Sequence, residues 1–196
     1  MTGFKIRRLT GTAMLSGVAY VLMFLEFPVP FMPPFIKMDF SELPALLAAF
    51  AYGPVAGVMV CLIKNLLHLL NSQSAGIGEL SNFILGSVFV LTAGIFYKKK
   101  HTKKGAVLGS LIGAGVMGIV SMFTNYYVVY PIYTNYMPME SIIAAYQLIF
   151  KGVDNLWECL LVFNLPFTIV KGLCSVIITF LIYKPLSPIL KGSRQN

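Results

Sequence analysis

Six apolar stretches, at about residues 9–27, 41–52, 54–71, 79–97, 105–130 and 159–183, alternate with short polar or proline-rich breaks. Several reach the roughly 20 residues that a helix needs to cross a hydrocarbon core. Helices satisfy their own backbone groups in lipid, so the pattern predicts an all-α integral membrane protein. Its six transmembrane helices would form one membrane domain over residues 1–196. The breaks are equally informative. Pro28, Pro30, Pro33 and Pro34 fall close together and cannot continue a regular helix, which predicts an ordered loop up to Phe40. Ser41 is placed to cap the second helix, with Glu42 and Pro44 in its first turn. Tyr52-Gly53-Pro54 reads as a tight turn, and NSQSAGIG at 71–78 as a polar loop. Between Tyr133 and Glu158 the pattern is mixed, and a short amphipathic helix is expected near 139–151.

Composition strengthens the membrane reading. Hydrophobic residues make up 57% of the chain and charged residues 11%, against about 25% charged in soluble domains. The segment after Lys5, Arg7 and Arg8 is too long for a cleaved leader and no convincing cleavage site follows, so a retained first span is expected. Cys61, Cys159 and Cys174 show no metal or redox spacing.

The net charge of +8 would suit nucleic acid, but its distribution excludes that partner. Basic residues gather before the first span, in the loop Lys98–Lys104, and after the last span at Lys184, Lys191 and Arg194. All seven acids fall at or near the opposite ends of the spans. By the positive-inside rule both termini are expected in the cytoplasm, with the chain crossing the membrane several times. The basic loop is also suited to anionic lipid head groups.

No HExxH zinc motif and no phosphate-binding Walker sequence is present, and an intramembrane enzyme would lack an obvious nucleophile and base. Energy for any transport must therefore come from ions or from a partner protein. The lack of detectable inverted halves weighs against a self-sufficient secondary transporter. His101 reads as solvated in the lysine loop, and His68 as interfacial or packed. Small residues at Ala13 and Gly17, and at Gly109, Gly113 and Gly118, predict close helix contacts, either within the protein or with another membrane protein.

Polar residues inside spans are costly and usually face a cavity. Lys64, Asn65, Asn82 and Asn125 are such residues. In the segment NLPFTIVKG at 164–172, Asn164, Thr168 and Lys171 recur at i, i+4 and i+7, which puts them on one helix face. Pro166 frees backbone carbonyls nearby. Lys171 then either pairs with an acid such as Asp39 or lines a solute pocket. A mostly apolar pocket with a few amides, a hydroxyl and an ammonium suits an aromatic heterocycle better than a sugar or a divalent cation.

Three segments carry a resemblance: PVPFMPPFIKMDFSELPALLAAFAYGP at 28–54, GELSNFILG at 78–86 and PFTIVKG at 166–172. With them the chain resembles, over nearly its whole length, the substrate-binding S component of an energy-coupling factor (ECF) vitamin transporter. More narrowly it is similar to the riboflavin-specific members. The resemblance implies a six-helix bundle that captures riboflavin at the outer face, without a cofactor of its own. It implies partners: a membrane-embedded coupling subunit (T component) and two cytoplasmic ATPases. It maps partner docking onto Ala13 and Gly17, and ligand contacts onto Asn125, Asn164, Thr168 and Lys171, with Thr168 standing where family members more often carry asparagine. It implies that the loop at Met38, Asp39 and Phe40 covers the ligand, with Asp39 accepting from ribityl hydroxyls or pairing with Lys171. Whether the phosphorylated flavin FMN also binds is left open. S components for thiamine, biotin or a queuosine precursor would share the spans, and a membrane assembly subunit without a solute is the reading from another class.

Overall fold

The computed structural model describes the backbone of residues 2–72 and 74–191 and the side chains of residues 5–72 and 74–182. Arg194, counted in the basic tail, lies outside the described residues, as do the side chains of Lys184 and Lys191. Helix α1 (Thr2–Phe24) leads into a two-stranded antiparallel ribbon, β1 (Phe27–Pro28) and β2 (Lys37–Met38), with Phe27 opposite Met38. The proline-rich loop is therefore ordered by backbone pairing as well as by its prolines. Helices α2 (Glu42–Tyr52) and α3 (Pro54–His68) follow, the latter extended by a 3₁₀ turn over Leu69–Asn71. Then come α4 (Ile77–Lys99), α5 (Lys103–Thr124), α6 (Tyr130–Tyr133), α7 (Met139–Gln147), α8 (Leu156–Cys159) and α9 (Leu165–Lys191).

Among the described residues, four helical segments are long and apolar enough to cross a membrane: Pro54–Asn71, Ile77–Lys99, Lys103–Tyr133 and Leu156–Ile182. The sequence pattern predicts six. The difference lies in α1 and α2. At 11 residues, α2 is only about 16 Å long, roughly half a hydrocarbon core. It is also wrapped by protein: Glu42 to Phe50 are all buried, and α2 packs against α1, α3, α4 and α9. A helix that is apolar all round is either a membrane span or a core helix, and here protein covers it. α1 carries Arg7 and Arg8 and is not among the four. α9 continues past Lys184-Pro185, where the sequence predicts its end, to Lys191. A membrane helix tolerates an internal proline where its surroundings satisfy the freed groups.

The α2–α3 corner needs Gly53, whose φ of +99° is costly for any residue with a Cβ. The glycine face of α5 packs within the protein. A Cβ on Gly113 would lie 2.9 Å from the Phe89 carbonyl of α4, and one on Gly118 would lie 2.5 Å from Ile169 of α9. Ala13 and Gly17 of α1 are different. Both are exposed, and nothing lies within 4 Å of a Cβ built on Gly17.

Among the described residues, two helical segments contain a π-turn. One covers Asn125–Val129, between α5 and α6; the other covers Leu160–Asn164, between α8 and α9. Each ends two residues before a proline, Pro131 or Pro166. Proline cannot donate the usual i to i−4 bond, and a widened turn accommodates that loss. The turns place Asn125 and Asn164 at the same end of the bundle.

Candidate functional site

A cavity of about 610 Å³ opens at that end, within the range of small-molecule sites. The ribbon loop contributes Phe35, Ile36 and Lys37, and the helices contribute apolar walls such as Met23, Leu85, Met117 and Phe167. Of the residues expected to contact a ligand, Asp39, Asn125, Asn164, Thr168 and Lys171 all line this one cavity. Met38 and Phe40 do not. Met38 is buried in the ribbon, and Phe40 packs on Phe27 with ring centroids 5.9 Å apart.

Asp39 and Lys171 are 132 residues apart in sequence, and their side chains meet. Lys171 Nζ donates to Asp39 Oδ2 at 2.8 Å and lies 3.4 Å from Glu42 Oε2. The fully buried Lys64 reaches Glu42 Oε1 at 3.1 Å and Asn82 Oδ1 at 3.4 Å, and also donates to Ser41 Oγ. Ser41, expected as a plain helix cap, makes no side-chain cap bond and donates to Asp39 instead. Two ammonium groups thus face two carboxylates, contributed by the loop, α2, α3 and α9. Buried charges are tolerable because they are paired; removing one partner strands the rest. Burial alone would push the Asp39 carboxyl up. The charges of Lys171 and Lys64, with hydrogen bonds from Lys171 and Ser41, instead hold it well below the usual carboxylate range. Glu42 Oε2 is buried beside the cavity and makes no hydrogen bond among the described residues; its contact there is the ion pair with Lys171, which leaves lone-pair capacity for a ligand donor.

The amides differ in how they are held. Asn164 is engaged by two tyrosines: Tyr146 Oη donates to its Oδ1 at 2.7 Å, and its Nδ2 donates to Tyr130 Oη at 3.3 Å. Asn125 and Thr168 are buried and line the cavity, and neither side chain makes a hydrogen bond among the described residues. Elsewhere on the wall, Glu79 accepts from Ser72 at 2.9 Å and Ser74 at 3.1 Å, and its other oxygen lies 2.8 Å from His68 Nδ1. The sequence pattern reads His68 as interfacial or packed and Glu42 as part of a helix start. Both line the cavity. The clue available was that a buried Lys64 and Lys171 require carboxylates, and Glu42 is among the few acids in reach.

Comparison with known proteins decides what this architecture belongs to. The family model described as "ECF transporter, substrate-specific component" matches residues 7–183. The chain belongs to this family. It is 40% identical over 185 residues to a protein named riboflavin transporter RibU of Staphylococcus aureus (strain TCH60), covering 94% of this chain and 93% of that protein. It is 34% identical over 195 residues to one named riboflavin transporter FmnP of Bacillus subtilis (strain 168), covering 97% of each. A solved structure described as "Structure and mechanism of the S component of a bacterial ECF transporter" matches with a TM-score of 0.76 at 38% identity, over 95% of this chain and 99% of that one. The ECF substrate-specific components are membrane transport proteins, not enzymes, and this chain is one of them.

Proposed function

We propose that this chain is the riboflavin-binding component of an ECF transporter, capturing the vitamin in the cavity between the two π-turns. The observation that carries this reading is the near-full-length similarity to two riboflavin transporters at 40% and 34% identity. The chemistry of the cavity supports it. A flavin ring presents alternating carbonyl acceptors and an imide donor along one edge, and amides complement such an edge. Asn125 and Thr168 are free to bond, Asn164 is already oriented, and apolar walls receive the ring. Lys171 supplies a charge-assisted donor while remaining paired with Asp39, and the loop carrying Met38, Asp39 and Phe40 forms the cover. Glu42 Oε2 offers an acceptor to a ribityl hydroxyl or to the imide N–H.

The full arrangement we infer is a single membrane domain of six helices, with α1 and α2 completing the four apolar spans. Its cavity opens outward, and both termini lie in the cytoplasm with the basic loop. The ATP-driven step belongs to two cytoplasmic ATPases, coupled through a membrane-embedded T component. The open face of α1 at Ala13 and Gly17 suits close approach of that component.

The test is fluorescence titration of riboflavin with purified protein, followed by competition with FMN, thiamine and biotin. Riboflavin fluorescence is expected to quench at sub-micromolar protein, with thiamine and biotin failing to compete. No quenching at micromolar concentrations, or displacement by thiamine or biotin, contradicts the substrate.

A further inference from the structure

Tyr146 lies on α7, outside the candidate spans, and is fully buried. It does not line the cavity, yet its hydroxyl reaches a residue that does. The hydrogens around it can be assigned by elimination. Tyr146 Oη donates its only proton to Asn164 Oδ1 at 2.7 Å. The contact between the Tyr130 and Tyr146 hydroxyls must then have Tyr130 as the donor. Tyr130 Oη in turn accepts from Asn164 Nδ2 at 3.3 Å. The three bonds close into a ring, each group both donating and accepting. Bonds in such a chain polarise one another. Burial, and then the neighbouring Tyr130, push the Tyr146 phenol well above its usual value, so it remains a donor at any working pH. The ring also fixes which way the Asn164 amide points. It leaves one amide hydrogen and one carbonyl lone pair for the cavity.

We infer that Tyr146 is a positioning residue: from outside the cavity, through this three-membered ring, it sets the orientation in which Asn164 meets the flavin. The inference rests on the riboflavin reading above. It also gives α7 a role that its amphipathic sequence does not suggest. One face of α7 anchors the amide that the π-turn Leu160–Asn164 presents.

The test is a double-mutant cycle read as riboflavin dissociation constants, using wild type, Tyr146→Phe, Asn164→Ala and the double variant. Phenylalanine at 146 keeps the ring contacts with Phe163 and Phe35, whose centroids lie 5.2 and 5.9 Å away. Tyr146→Phe is expected to fold and to weaken riboflavin binding about tenfold in the wild-type background. In the Asn164→Ala background it is expected to change affinity less than twofold, because the amide that Tyr146 orients is gone. An equal loss in both backgrounds overturns the inference, since Tyr146 would then act other than through Asn164. Unchanged binding by Tyr146→Phe overturns it too, as does a variant that no longer folds, which would make the residue structural. Wild-type protein that ignores riboflavin overturns the substrate reading itself.

Discussion

The two π-turns are built alike. Each widens a long helix just before a proline, and each carries a buried asparagine that lines the cavity. Their amides are prepared differently. On the α9 side, Asn164 is held by Tyr130 and Tyr146, and Lys171, further along the same face, is held by Asp39. On the α5 side, Asn125 has no such partner among the described residues. One wall of the cavity is therefore set before a ligand arrives, and the other is completed by it. Pre-orientation avoids paying for side-chain ordering at the moment of binding. A free amide on the opposite wall can adjust to the ring edge it meets.

Lys171→Ala attacks the prepared wall most severely. It leaves Asp39 and Glu42 facing Lys64 alone, and breaking a buried pair typically costs about 3–5 kcal/mol. The melting temperature in detergent is expected to drop strongly, and riboflavin affinity to fall tenfold or more. Unchanged stability would mean that the charge cluster is not closed in the way described. Asn164→Ala comes next. It leaves the two buried tyrosine hydroxyls bonded only to each other, with one proton lacking an acceptor at a cost of about 1–3 kcal/mol, so both the melting temperature and the affinity should decline. Asn125→Ala sharpens the contrast: affinity falls about tenfold while the ligand-free melting temperature stays within about a degree. Equal loss of stability at Asn125 and Asn164 would erase the distinction.

Acid titration of ligand-free protein is the mildest probe. Because the folded Asp39 carboxyl is depressed, its pairing contributes fully above the unfolded value of about 3.8 and is lost only as pH falls through the depressed value. Melting scans are therefore expected to show no Asp39-dependent difference in slope between wild type and Asp39→Asn from pH 7 to pH 5. A wild-type transition in that window that Asp39→Asn removes would contradict the paired geometry.

Much of this site is legible from the chain because it is local. Asn164, Thr168 and Lys171 follow helical spacing, so their common face is visible in the sequence. The fate of the small residues is less visible. Gly109, Gly113 and Gly118 of α5 and Gly17 of α1 look alike as a pattern, but only the neighbours show that the first face is filled and the second open. The ring and the charge cluster are invisible to any local pattern. Tyr130 and Asn164 lie 34 residues apart, and Glu42 and Lys64 lie 22 apart. Tyr146 sits in a short helix whose sequence shows only amphipathicity. The span count depends on context for the same reason: α2 is apolar enough for lipid, but protein surrounds it.

The most direct measurement is an experimental structure of the purified protein saturated with riboflavin. The account predicts one flavin in the cavity between the π-turns, with its ring edge within hydrogen-bonding distance of Asn125 and Asn164 and its side chain near the Glu42 carboxylate. A flavin bound elsewhere, or this cavity left empty at saturating riboflavin, would contradict it.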